Sequence, residues 1–143
     1  MQNEDFLDVL NNTKFITVST VNIDGSPYAT PIGWFAFDGE SIVFDNHSGK
    51  IHSNNLRRDG RCFITIVNYD QKHSRAVYIE TVARNLHGAE YEKAKKLIEG
   101  KGLSVSDDIA IAPIGEIDME KSKIYNRSDK KRFYCYMKMK GKQ

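Results

Sequence analysis

The residues best suited to chemistry gather in "FDNHSGKIHSNNLRRDGR", positions 44 to 61. Past Asn46, the side chains of Lys50, Arg57, Arg58 and Arg61 meet only Asp59 in opposition. A phosphate needs a cation and several hydrogen-bond donors at once; Lys50 offers a mobile point charge and Ser48 a hydroxyl. Ser48 also suits the N-cap of a helix that starts just after it, which would turn free main-chain amides toward the same anion. A helix over residues 49–58 places Leu56 toward the core and Arg57 and Arg58 outward. The arginines therefore read mostly as a solvated face, with Arg57 the best placed of them for a secondary phosphate contact.

The four histidines do not form a metal site by spacing. His47 and His52 fall about 140° apart around a helix of about 100° per residue, whereas paired zinc ligands on a helix need one face. His73 and His87 lack a nearby cysteine. Neither a G-x-S-x-G elbow nor a G-x-x-x-x-G-K-[ST] phosphate loop is present, and no side chain stands out as an obligatory catalytic acid or base.

The elements that must position these residues are mostly strands. "EDFLDVLNN" is a short amphipathic helix, with Phe6, Leu7, Val9 and Leu10 at helical spacing. "FITVSTVN" alternates, with Ile16, Val18 and Thr20 on one face and Phe15, Thr17, Ser19 and Val21 on the other. Asp24-Gly25 signals a hairpin into "YATPIGWFAF", and Asp38-Gly39 a second into "SIVFDN". Pro31 lacks a ladder donor and Gly33 weakens pairing, so the middle of that second strand is a bulge, an edge or a place where backbone meets a ligand. After the basic helix come "RCFITIVN" and "RAVYIETVARNL". The helix "AEYEKAKKLIEGKG" then turns Tyr91, Ala94, Leu97 and Ile98 inward, and "IAIAPIGEIDM", "SKIYNR" and "RFYCYMKMK" follow as a late sheet segment. Six to eight strands in meander order with two or three short helices predict a mainly β, antiparallel small barrel, because closure removes exposed edges.

The chain has 143 residues, 40% of them hydrophobic and 28% charged, which suits one folded domain over 1–143. A net charge of +2 is too small to imply nucleic acid, so any positive site is local. The basic and aromatic stretch "NRSDKKRFYCY" reads as a charged turn guarding a terminal strand pair. Cys62 and Cys135 sit in apolar, strand-like segments without a C-x-x-C pair and read as buried thiols of a reducing compartment. With no signal-peptide pattern and no apolar run of roughly 18 to 20 residues, the expectation is a cytoplasmic protein without a membrane contact.

The ordered set of a strand, "DGSPYATPIGW", an Asp-Gly turn, a strand, then Ser48, Lys50 and "NNLRRDGR" leading into a further strand resembles the FMN-binding split-barrel family related to pyridoxamine 5'-phosphate oxidase. The likeness is close over residues 6 to 87 and looser beyond. It implies a split barrel, and a homodimer that holds two FMN molecules at the subunit interface. It maps Ser48 and Lys50 onto the grip on the FMN phosphate and Asn46 and His47 onto the strand end leading into it. Thr30, Pro31 and Ile32 map onto the backbone along the flavin ring. Trp34 is a candidate wall of the pocket, with core or dimer interface as the alternative, and Tyr125 or Arg127 would reach the flavin of the neighbouring subunit. The arginine-rich C-terminal pattern that holds the substrate phosphate in the oxidase making pyridoxal phosphate is missing. Thr81 also stands near the barrel seam where many relatives carry glycine. The implied activity is thus a flavin-dependent oxidation or reduction of a small molecule other than pyridoxamine 5'-phosphate. The alternative is a flavin- or haem-binding carrier, sensor or store without turnover, and a deazaflavin is a further cofactor of the same class.

Overall fold

The computed structural model describes residues 4–69, 73–117, 123–126 and 131–138. Chain order is α1 (Glu4–Asn11), β1 (Ile16–Val21), β2 (Pro27–Ile32), β3 (Phe35–Phe37), β4 (Ser41–Asp45), α2 (Ile51–Arg58), β5 (Arg61–Tyr69) and β6 (His73–Val82). It continues with β7 (Arg84–Asn85), α3 (Gly88–Glu99), β8 (Ile109–Pro113), β9 (Glu116–Ile117), β10 (Lys123–Asn126) and β11 (Lys131–Lys138). Among the described residues, eight of these strands have four residues or more, beside three helices.

The strands divide into two sheets. The larger runs β10-β11-β6-β5-β1-β2, with β9 also on β11, and the smaller runs β3-β4-β8-β7. The chain passes from one sheet to the other at Gly33-Trp34, between β2 and β3, and at Ala83, between β6 and β7. At the second crossing Ala83 N–H donates to Gly60 O at 2.8 Å, and Thr81 Oγ1 donates to Pro113 O at 2.6 Å, joining β6 to β8 across the split. Gly60 is required there: a Cβ on it would lie 2.5 Å from the Ala83 carbonyl oxygen.

Pairing is antiparallel except between β6 and β11, which run parallel. The long connection through α3 and β8 permits this, since parallel neighbours need a crossover and antiparallel ones do not. The run 28–37, read from sequence as one interrupted strand, is two strands in different sheets. Pro31 lies opposite Thr17 on β2, which forms the edge of the larger sheet, where a missing donor is tolerated.

The alternation of β1 is realised, with Ile16, Val18 and Thr20 buried. Ile16, Val18, Phe44, Ile64, Ile66 and Ile79 fill the barrel, and α1 closes one end with Phe6, Val9 and Leu10. The Phe6 ring meets Phe37 edge-on at 5.4 Å. A second apolar cluster lies under α3, where Ala94 and Ile98 are buried against Val43, Leu86 and Ile109. Leu97, expected to face inward, is 38% exposed; one residue from Ile98, it is turned about 100° off the buried stripe. Cys62 is buried and burial pushes its thiol up to about 12. The side chain of Cys135 lies outside the described residues, as do Arg127 and the side chain of Tyr125.

Candidate functional site

β4 delivers the chain to a tight turn before α2. Lys50 N–H donates to His47 O at 3.3 Å and Gly49 has φ +87°, the pattern of a turn that needs glycine at its third position. Lys50, not Ser48, is the N-cap of α2; it is extended, and no side chain caps the helix. Ser48 is occupied elsewhere. Its hydroxyl donates to one oxygen of Asp107 and its main-chain N–H to the other at 3.1 Å, while His47 Nδ1 lies 3.1 Å from the same carboxylate. The Ser48 hydroxyl, followed by the main-chain amides of Asp108 and Ser48, holds Asp107 well below the usual carboxylate range.

The first turn of α2 thus has neither a capping side chain nor an acidic residue. This end of a helix favours an anion. Lys50 stands at its entrance and lines a cleft of about 420 Å³ together with His47, His52 and Ile51. The opposite wall comes from Thr30, Pro31 and Ile32 at the end of β2 and from Gly33 and Trp34 in the crossing to β3. Trp34 is 45% exposed, a broad apolar surface at the cleft. Residues 20 positions apart in sequence meet because β4 and β3 pair, with Asp45 N–H donating to Trp34 O at 2.8 Å.

Five of the residues singled out from sequence, Thr30, Pro31, Ile32, His47 and Lys50, line this one cleft. Three others stand beside it. Asn46 is fully buried; its N–H donates to Asp108 O at 2.8 Å and its Nδ2 to Asn85 Oδ1 at 2.7 Å, so it braces the turn from behind. Ser48 serves the Asp107 latch. Arg57 pairs with Asp108 at 2.5 Å and donates from Nε to Ser53 Oγ at 3.3 Å. Arg58 caps the Val21 carbonyl and Asn55, and Arg61 pairs with Asp59 at 2.7 Å. That pairing, through the Arg61 side chain first, lowers Asp59 to about 2.

Reading the sequence missed Tyr28, Asp45 and the place of His52, all on the cleft wall. It also missed Asp107 and Asp108. Their partners lie 59, 60 and 51 residues away, and no local pattern announces contacts at that range. His52 is 9% exposed, and burial pushes its pKa below the ordinary histidine value while Asp45 opposes the shift. No group of three or more histidine, cysteine or acidic side chains that could hold a metal occurs among the described residues. Among them, too, no helix is long and apolar enough to cross a membrane.

Solved structures share this architecture. HupZ of Group A Streptococcus superposes with a TM-score of 0.67 at 22% identity, over 80% of this chain and 90% of that one. A heme binding protein from Mycobacterium smegmatis gives 0.64 at 20%, over 75% of this chain and 48% of its own. An F420 reductase gives 0.54 at 18%, over 80% and 97%. At these identities the likeness is one of fold. No curated protein matches the sequence. The family model described as pyridoxamine 5'-phosphate oxidase matches residues 3–108, a span running from α1 to the Asp108 that braces the turn, and by that match the chain belongs to the pyridoxamine 5'-phosphate oxidase family.

Proposed function

We propose that the cleft binds FMN and that the protein is a flavin-dependent oxidoreductase acting on a small molecule, as a homodimer in which a second copy completes each site. The observation that carries the reading is that the β2 end and the β4–α2 turn, singled out separately in sequence, form the two walls of one cleft. The donor set fits the cofactor. Lys50 and the uncapped amides of α2 suit the phosphate, the edge backbone of Thr30 to Ile32 suits the polar rim of the ring, and Trp34 suits its face. A volume of about 420 Å³ lies within the range of small-molecule sites.

When bound, FMN supplies two-electron transfer. The chain's own residues would anchor and orient it: Lys50 would hold the anionic end, and the backbone of Thr30 to Ile32 would hold the ring. The test is the absorption spectrum of the purified protein after incubation with FMN, followed by titration of Lys50→Ala. Wild type is expected to turn yellow and retain the flavin. The variant is expected to lose about 1.5–3 kcal/mol, roughly ten- to hundredfold in affinity, for FMN but not for riboflavin. A protein that takes up no flavin, or a variant that binds FMN as tightly as wild type, would defeat the assignment.

A second reading has its own support. Two imidazoles, His47 and His52, line the cleft, and a heme binding protein shares the fold. A haem carrier would show a Soret band on incubation with hemin, displaced by neither FMN nor riboflavin. The absence of that band alongside flavin uptake decides for FMN.

A further inference from the structure

His52 has no part in the FMN reading, yet it is the most enclosed ionisable side chain of the cleft. It is the second residue of α2, lines the cleft, and carries a buried Nε2 without a hydrogen-bond partner. An unmatched buried nitrogen is unfavourable, and since Nε2 is closed off from solvent, a ligand supplies the match once the ring turns toward the cleft. The surroundings select the ligand's charge: the adjoining helix start is uncapped, holds no acidic residue in its first turn, and has Lys50 at its entrance.

We infer that His52 reads the anion in this cleft, taking up a proton from solvent when a phosphate monoester docks at the start of α2 and donating Nε2–H to a phosphate oxygen. The inference rests on the FMN reading for the identity of the monoester, but the anion site does not depend on the flavin. In the free protein the ring is neutral near pH 7, because burial, reinforced by Lys50 and His47, outweighs the pull of Asp45. The other groups facing α2 leave that balance in place. β2 contributes the phenol of Tyr28 to the cleft, β1 carries no ionisable side chain, and Arg84 of β7 is paired with Glu90 at 3.1 Å. A bound dianion adds negative charge beside the ring and raises its pKa. Affinity is then full below the free ring's pKa, falls by up to about tenfold per pH unit between the free and bound values, and is level above the bound value.

The test follows the His52 ring by NMR through pH in the free protein and with inorganic phosphate, FMN or riboflavin. Phosphate and FMN are expected to raise its midpoint, and riboflavin to leave it in place. In parallel, flavin fluorescence quenching gives FMN affinity against pH for wild type and His52→Gln. The variant keeps a donor and retains the phosphate's own second ionisation, near about 6, so the slope it loses belongs to His52. If the variant fails to fold, the ring titration of the wild-type protein decides alone. A midpoint unmoved by both phosphate and FMN overturns the inference, and if FMN still binds, the flavin reading survives. A midpoint raised by phosphate in a protein that takes up neither flavin keeps the anion site and removes the flavin reading. An unmoved midpoint in a protein that takes up neither flavin removes both.

Discussion

Lys50 ends one short turn, Asp107 grips the other end from the loop before β8, and the two do opposite work. Lys50 is left to the cleft, while Asp107 draws both donors of Ser48 and one nitrogen of His47 to itself. The turn is therefore already closed on its outer side by an internal anion, and only its inner side, with the start of α2, remains for a ligand. Because the folded state depresses the Asp107 pKa, the latch contributes stability that is present above the ordinary carboxylate pKa of about 4. It is lost only as pH falls through the lower folded value. The Ser48 amide shift followed by NMR is expected to titrate well below that ordinary value; a midpoint at the ordinary value would show the latch to be loose in solution. The cation and its neighbours were legible from residue type alone. The serine was misread as the helix N-cap, because a hydroxyl before a helix looks the same whether it caps the helix or serves an acid far along the chain.

Elements carry the site through two crossings between sheets. At one, Gly33-Trp34 carries the strand run from the larger sheet into the smaller and sets Trp34 beside the cleft. At the other, Gly60 accepts the close approach of Ala83. Gly60→Ala is expected to cost about 1–3 kcal/mol through the overpacking of backbone on backbone, read as a fall in thermal midpoint. An unchanged midpoint would mean that the seam yields easily. Cys62, in β5 just past this seam, is buried with a thiol raised to about 12. It is expected to resist alkylation at neutral pH until the protein unfolds; rapid labelling of Cys62 in native protein would contradict that burial. The Asp-Gly turns and the alternation of β1 were readable because both are local. The division of 28–37 between two sheets was not, since Pro31 and Gly33 signal an interruption without saying where the chain goes after it.

For the whole molecule, the outer face of the larger sheet presents Phe15 and Tyr69, 57% and 62% exposed, beside Val67 in a shared depression. Neighbouring exposed apolar side chains of this kind mark an association surface and suit the homodimer proposed here. Val67→Arg is expected to convert a dimer into single chains in sedimentation velocity and to weaken FMN binding at least tenfold, since each site would lose what the second copy adds to it. A variant that remains dimeric and binds FMN unchanged would place the interface elsewhere. Dimer and cleft are thus tested together by one substitution remote from Lys50.

The class of the fold, most of its strands and the cation at the β4–α2 turn followed from the sequence by itself, because alternation, Asp-Gly turns and residue chemistry act over a few positions. The meander order did not hold, since the strands divide between two sheets and β6 pairs with β11 in parallel. Only the tertiary structure decided which of the candidate residues were still available. Arg57 is paired by Asp108 and Ser48 is held by Asp107, both from a loop that no short-range pattern ties to them. It also decided that His52, on the same helix turn, is buried in the cleft wall with a nitrogen unmatched. Charge and hydrogen-bonding capacity are written in residue type. Whether they are already satisfied depends on partners that packing alone brings near.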